Sequence, residues 1–140
     1  MSKISDFIQK NKVASISSVD EDAGTYSFNC FYAFDKETMR ILFKSSSTTH
    51  HASLFKINNN ISGTILQDKI SLIKLQGIQF KGLVNNKVSE ELKNIYYKKY
   101  PFALAMQGEI YCIDLYHIKM KDNSKTFGEK LEWVNTELKV

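Results

Sequence analysis

Residues 26–34 read Tyr-Ser-Phe-Asn-Cys-Phe-Tyr-Ala-Phe, and this stretch decides the class of fold. Apolar and aromatic side chains occupy every second position from Tyr26 to Phe34, which is the period of a β-strand with one buried face. The other face carries Ser27, Asn29 and Phe31. Polar segments at residues 20–24 and 35–38 are typical of turns. With alternating residues 13–19 before it and apolar residues 39–44 after it, the stretch predicts an antiparallel meander.

Short helices are predicted between the strands. Residues 5–12, 50–57 and 89–100 place apolar side chains at helical spacing, and Ser89 begins a capping box for the last of them. Residues 61–67, 72–84 and 109–120 have the β-branched and aromatic content of strands, and a short tail follows. We therefore predict a mainly β (α+β) fold in a single domain across residues 1–140: a small antiparallel barrel of six or seven strands with short helices.

Composition and charge narrow the classes of partner. The 140 residues are 43% hydrophobic and 24% charged, with one proline, which is typical of a folded globular chain. The net charge is +4, but every basic residue except Arg40 is lysine, so we expect no nucleic-acid partner. No apolar run reaches the length of a membrane span and no signal sequence is visible at the start. We therefore expect no membrane partner and a cytoplasmic location.

Common catalytic and metal-binding signatures are not found. The chain carries no GxGxxG, GxSxG or HExxH pattern. Residues 77–82 have the outer glycine spacing of a phosphate-binding P-loop, but Leu83 and Val84 follow in place of the required Lys-Ser/Thr. Cys30 and Cys112 lie far apart within apolar runs, which indicates reduced core thiols. Adjacent histidines on a helix point about 100° apart, so His50 and His51 do not suit one metal ion. We predict no metal site and identify no catalytic side chain.

Residues 44–51 read Lys-Ser-Ser-Ser-Thr-Thr-His-His and run from the end of a predicted strand into the start of a predicted helix. Free backbone N–H groups, hydroxyl donors and the positive end of a helix together favour a phosphate. Under the alternative interpretation, the hydroxyls only cap the helix and the histidines face solvent. Asn29 and Gln79 are amides on strands that otherwise bury apolar side chains, so they either bind a heterocycle edge or face solvent.

Several blocks of sequence carry a resemblance to a known family: residues 29–35, 45–52, 76–82, 100–103, 118–123 and 127–133. Together they resemble the YhbP-like proteins of the pyridoxamine 5'-phosphate oxidase-like FMN-binding split-barrel superfamily. The resemblance implies a split barrel and a homodimer with an FMN site at the subunit interface. It assigns the phosphate to Lys44, Ser45, Ser46, Thr49, His50 and His51. It assigns the flavin ring to Asn29, Cys30, Phe31, Tyr32 and Gln79, with Trp133 covering the site from the partner subunit.

The resemblance leads to two hypotheses about function. The first is a flavin-dependent oxidoreductase that takes hydride from a nicotinamide donor, NAD(P)H, and passes electrons to an unidentified small acceptor; the cofactor would carry the chemistry. The alternative is a non-enzymatic split barrel that binds another ligand, such as haem through His50, His51 or His117, or no cofactor. Thr48 and His50 stand where relatives often carry lysine and arginine. This difference predicts weaker phosphate binding.

Overall fold

The alternating residues 26–34 lie in the long second strand of a seven-stranded antiparallel sheet. The computed structural model describes residues 2–123 and 129–137. In chain order its elements are α1 (Ser2–Lys10), β1 (Val13–Asp20), β2 (Gly24–Asp35), β3 (Arg40–Ser45), α2 (His50–Ile57), β4 (Asn60–Leu66), β5 (Gln76–Asn85), α3 (Glu90–Lys99), a 3₁₀ helix (Pro101–Ala105), β6 (Glu109–Asp122) and β7 (Glu129–Val134).

Six of the strands close into a barrel. The strand order is β3-β2-β1-β4-β5-β6-β7, and β3 also pairs with the first half of β6. The second half of β6 pairs with β7 instead. The predicted antiparallel barrel with short helices is therefore confirmed. The sequence interpretation placed residues 129–134 in a tail. They form β7 instead, because β6 is long enough to pair first with β3 and then with β7.

The barrel interior holds the main hydrophobic core, and α1 closes one of its ends. Ile4, Phe7 and Ile8 of α1 are fully buried among inward side chains of the strands. Tyr32 lies inside as well, where its hydroxyl donates a 2.7 Å hydrogen bond to the carbonyl of Ile8. This bond satisfies one of the free carbonyls at the end of α1 and fixes the helix to the barrel wall.

A second, smaller core lies on the outside of the barrel. There α3 and the 3₁₀ helix cover Ala33 and Leu42, whose side chains point away from the interior. The Ser89 hydroxyl accepts from the N–H of Leu92 at 3.2 Å, so the predicted cap of this helix is present. No helix within the described ranges is long and apolar enough to cross a membrane.

The hairpin between β4 and β5 differs from the sequence interpretation. Residues 72–84 were predicted to be one bent strand, but β5 begins only at Gln76. The Gln67 amide donates to the carbonyls of Lys69 and Lys74, at 2.8 Å each, and accepts from the N–H of Gln76. Side-chain hydrogen bonds of this kind compete with the strand ladder and hold the segment as a loop.

Candidate functional site

The hydroxyl-rich loop between β3 and α2 forms a connected cluster at the start of that helix. Thr49 is the N-cap residue, and its hydroxyl accepts from the N–H of Ala52 at 3.2 Å. Ser45 Oγ lies 2.7 Å from Nε2 of His51 and 3.4 Å from the Thr49 hydroxyl. Strand β3 thus ends with Ser45 beside the start of α2, where the first N–H groups lack partners within the helix. The Thr49 cap was predicted by the capping interpretation, whereas its expectation that the histidines face solvent is wrong for His51.

His51 lies between the loop and the aromatic core. Its ring stacks on Phe28, with ring centroids 3.7 Å apart, and also contacts Phe55. Burial, and to a lesser degree the neighbouring His50, lowers the pKa of His51 below its ordinary value. At neutral pH the ring is therefore a neutral hydrogen-bonding group rather than a cation.

The lowered pKa of His51 predicts a loss of stability in mild acid. Below about pH 6.5 an unfolded chain protonates this histidine before the folded chain does, so the free energy of unfolding decreases as the pH falls through that window. We expect His51→Gln to weaken this dependence. Urea unfolding at about pH 7 and about pH 5.5 measures it. If the free energy of unfolding falls by the same amount between the two pH values in both proteins, the assignment to His51 is contradicted.

His50 points away from His51, as expected for adjacent helical residues. Its Nε2 lies 3.2 Å from the carboxylate of Asp20, at the end of β1, and its ring meets Tyr26 edge-on at 4.7 Å. His50 therefore lies beside the loop cluster but contacts an acidic partner. Among the described residues, no group of three His, Cys, Asp or Glu side chains is arranged to hold a metal ion.

Lys44 does not extend toward the loop. Its Nζ donates to the carbonyls of Ala103 and Met106, at 2.7 Å each, and lies 4.9 Å from the centre of the Tyr97 ring. The lysine thus joins β3 to the end of the 3₁₀ helix on the outside of the barrel. The sequence placed Lys44 next to the loop, but strand alternation directs its side chain to the opposite side from Phe43.

The residues that the resemblance assigns to a flavin ring divide between the two faces of β2. Asn29 and Phe31 point outward and are exposed, whereas Cys30 and Tyr32 point inward. Burial raises the pKa of the Cys30 thiol to about 12, which makes it an unreactive core thiol. Only Asn29 and Phe31 therefore offer side chains to a ligand on the outer face.

Asn29 and Gln79 belong to one row of polar residues that crosses the outer face. Asn29 pairs with Ser15, Ser15 with Thr64, Thr64 with Gln79, and Gln79 with Lys119. The loop cluster contacts β2 beside this row, because His51 stacks on Phe28, the residue before Asn29. Gln79 lies three strands farther along the row, a distance of about 14 Å at about 4.8 Å per strand. Within one chain, Gln79 and the loop therefore lie in separate places, whereas Asn29 lies near the loop.

A groove that the sequence did not indicate lies around Gln79. It has a volume of about 670 Å³, and outward side chains of Leu66, Gln79, Lys119 and Lys121 line it. Glu132 of β7 forms its far wall, while Leu131 and Trp133 pack against the core of their own chain. Four strands from distant parts of the sequence build the groove, so no local pattern signals it.

The loop cluster fits a phosphate through neutral donors. The N–H groups at the start of α2 and the hydroxyls of Ser46, Thr48 and Thr49 are of the chemical type that binds phosphate oxygens. The charge of Lys44 is directed elsewhere, to two carbonyls. We expect such a site to bind a phosphate monoester less tightly than a site with fixed cations.

Comparisons with known proteins agree with the described fold. No family model matches the chain. A UPF0306 protein of Yersinia pseudotuberculosis serotype O:1b (strain IP 31758) is 30% identical over 112 residues, covering 78% of this chain and 76% of that protein. Among solved structures, a heme binding protein from Mycobacterium smegmatis gives a TM-score of 0.70 at 7% identity, covering 86% of this chain and 52% of the other.

A second solved structure has the fold that the resemblance implies. A pyridoxamine 5'-phosphate oxidase-related, FMN binding protein from Nostoc punctiforme PCC 73102 gives a TM-score of 0.68 at 5% identity, covering 91% of this chain and 83% of the other. At these identities the likeness shows the fold alone, and it confirms a split barrel of the pyridoxamine 5'-phosphate oxidase type. The narrower YhbP-like assignment stays a prediction.

Proposed function

The chain belongs to the UPF0306 family, and from this premise we propose that it is an FMN-binding split-barrel protein that acts as an oxidoreductase. One observation carries the proposal: Ser45, Thr49 and His51 meet at the start of α2. The FMN binding protein with the same fold gives further support. When bound, FMN would supply hydride chemistry, with NAD(P)H as the donor.

The residues of this chain have binding and positioning roles in the proposal. The first N–H groups of α2 and the hydroxyls of Ser46 and Thr49 would hold the phosphate. His51 stacks on Phe28 and shares a hydrogen bond with Ser45, so it fixes the loop against the aromatic core. Asn29 and Phe31 would meet the ring from the outer face, with Gln79 and Trp133 contributed by the partner subunit.

FMN titration of loop variants tests the phosphate assignment. We expect a Ser46→Ala, Thr49→Ala variant to bind FMN about tenfold or more weakly, because each lost hydrogen bond to a charged group is worth about 1.5–3 kcal/mol. Lys44→Met is the matched control, since its ammonium group contacts Ala103 and Met106 rather than the loop. It should lower stability and leave FMN affinity unchanged. The reverse pattern would refute the assignment.

The absorption spectrum of the purified protein tests the cofactor itself. After FMN is added and free FMN removed, a retained two-banded flavin spectrum at about one FMN per chain supports the proposal. An intense Soret band would instead favour the haem-binding alternative. A protein that is colourless as purified and retains no added FMN would refute the oxidoreductase proposal.

The outer face of the barrel supports a homodimer as part of the same proposal. Strands β1, β2 and β4 point alternate side chains outward on one continuous face. These side chains include Val13, Ser15, Ser17, Thr25, Ser27, Asn29, Phe31, Ser62, Thr64 and Leu66. None of these side chains is charged, in a chain that is 24% charged. Loss of charged residues is what distinguishes the centre of an interface from ordinary surface.

A charge placed at the centre of this face tests the homodimer. Ser17 pairs with Ser27 on one side and with Ser62 on the other. We expect Ser17→Glu to convert a dimer into monomers at micromolar concentration, because an isologous interface would bring the two new carboxylates together. Sedimentation velocity measures this, with Lys36→Glu in an exposed turn as the control. A Ser17→Glu protein that stays dimeric would exclude this face.

A further inference from the structure

The segment between β4 and β5, residues 67–75, exposes aliphatic side chains at its tip, and we call it the hairpin loop. Leu72 is fully exposed, Ile73 is 81% exposed and Ile70 is 64% exposed. Single aliphatic residues are common on protein surfaces, but three within four positions of one loop form a contiguous apolar patch. The tip of the hairpin loop therefore has the character of an interaction surface.

Side chains of the hairpin loop hold its backbone in place. The Gln67 amide donates to the carbonyls of Lys69 and Lys74, at 2.8 Å each. The Ser71 hydroxyl oxygen accepts from the N–H groups of Ile73 and Lys74, at 3.3 and 3.2 Å. An unpaired backbone group is costly in an apolar medium, where no water replaces the missing partner. These internal hydrogen bonds therefore suit a loop whose tip leaves water.

The base of the hairpin loop is fixed to the end of α1. The Asp68 carboxylate accepts from the N–H of Lys12 at 3.1 Å, and the N–H of Asp68 donates to the side-chain oxygen of Asn11 at 2.9 Å. Asn11 is buried, and its amide nitrogen also donates to the carbonyl of Phe7 at 2.8 Å. The tip therefore projects from the barrel in a fixed direction, which reduces the conformational entropy lost when it docks.

Lysines without acidic partners flank the apolar tip. Lys69 and Lys74 lie on either side of it in the sequence, and Lys10 and Lys12 lie at the end of α1, where the hairpin loop is anchored. All four side chains are exposed. Across residues 2–123 and 129–137, none of these four lysines forms an ion pair. The apolar tip therefore stands on a cationic base.

We propose that the hairpin loop docks on a membrane surface that contains anionic phospholipids. Ile70, Leu72 and Ile73 would enter the boundary between headgroups and acyl chains, and the neighbouring lysines would contact the lipid phosphates. A protruding apolar tip suits a deformable bilayer rather than a preformed protein pocket, and the cationic base complements an anionic surface. The sequence expectation of no membrane partner rested on the lack of a spanning segment, and contact at the surface needs none.

Co-sedimentation with lipid vesicles tests the proposal. We expect the protein to bind vesicles of equal parts phosphatidylglycerol and phosphatidylcholine, and to bind phosphatidylcholine vesicles about tenfold or more weakly. Leu72→Gln, Ile73→Gln should weaken binding to the mixed vesicles about tenfold or more, because the new side chains do not favour the apolar boundary. The matched control is Ile57→Gln, Leu104→Gln, which changes two aliphatic residues that are 68% and 69% exposed elsewhere. It should bind like the unchanged protein.

The charge requirement has its own variant and control. Lys69→Gln, Lys74→Gln should weaken binding to the mixed vesicles about tenfold or more and leave the weak binding to phosphatidylcholine vesicles unchanged. The matched control is Lys36→Gln, Lys87→Gln, two exposed lysines outside the hairpin loop. Circular dichroism confirms that each variant is folded.

Three results would overturn the proposal. The first is a lack of binding to the mixed vesicles, and the second is binding that Leu72→Gln, Ile73→Gln leaves unchanged. The third is a change of oligomeric state in that variant without lipid, measured by sedimentation velocity, which would identify the hairpin loop as a subunit contact. Residues 69–74 belong neither to the loop cluster nor to the face proposed for the homodimer. Failure of FMN to bind would therefore leave these measurements unaffected.

Discussion

Gly63→Ala is expected to lower the free energy of unfolding by about 3 kcal/mol, the upper range for forcing extra volume into a packed core. Gly63 lies in β4 with its missing side chain directed inward. A Cβ atom there would lie 2.3 Å from Cζ of Phe80 and 2.6 Å from the carbonyl oxygen of Ser15. Phe80 is buried and Ser15 belongs to the neighbouring strand, so neither moves without disturbing the barrel wall.

Gly77→Ala is the matched control for this experiment. Its new Cβ would have no contact closer than 3.7 Å, so we expect a change of no more than about 1 kcal/mol in either direction. Urea unfolding of the three proteins measures the difference, provided that the slope of free energy against urea stays the same. If Gly63→Ala is as stable as Gly77→Ala, the close approach of β1, β4 and β5 at this point is wrong.

Phe43→Ala is expected to cost about 4 kcal/mol of stability, since deletion of a fully buried ring leaves a cavity. Phe43 stacks on Tyr111 with ring centroids 5.5 Å apart and contacts Phe28 and Phe55 at 6.0 and 6.3 Å. Phe55 belongs to α2, and Phe28 supports the ring of His51. The substitution should therefore also loosen the loop and weaken FMN binding.

Phe102→Ala and Phe43→Leu are the control variants for the loss of the buried Phe43 ring. Phe102 is 60% exposed on the 3₁₀ helix, so its loss should change stability far less than the loss of Phe43. Phe43→Leu keeps most of the buried volume and should give an intermediate result. Thermal unfolding ranks the three variants. An equal loss in Phe102→Ala and Phe43→Ala would contradict the described core.

Strand alternation made much of the fold predictable from sequence. The period of two in residues 26–34 correctly divided inward Tyr32 and Phe34 from outward Asn29 and Phe31. Ser89 correctly marked the start of α3, because a cap depends on neighbours in sequence. Local physical rules are sufficient where the contacts are themselves local.

Contacts between distant residues explain what the sequence did not predict. Lys44 follows β3 directly into the loop, yet its charge lies against Ala103 and Met106, about sixty residues later in the chain. The start of β5 was misplaced because the hydrogen bonds of Gln67 hold residues 67–75 as a loop. Only the register of β4, β5 and β6 places Gln79 between Thr64 and Lys119.

The position of β6 in the chain has a consequence for how the protein is made. Residues 109–122 pair with β3, β5 and β7, so they complete the wall only after β1 to β5 have been synthesised. Until then a nascent chain on the ribosome exposes the unpaired edges of β3 and β5, which are templates for aggregation. Such distant pairings also predict folding in milliseconds to seconds rather than microseconds. Chaperone dependence should therefore be greatest for chains truncated before residue 109.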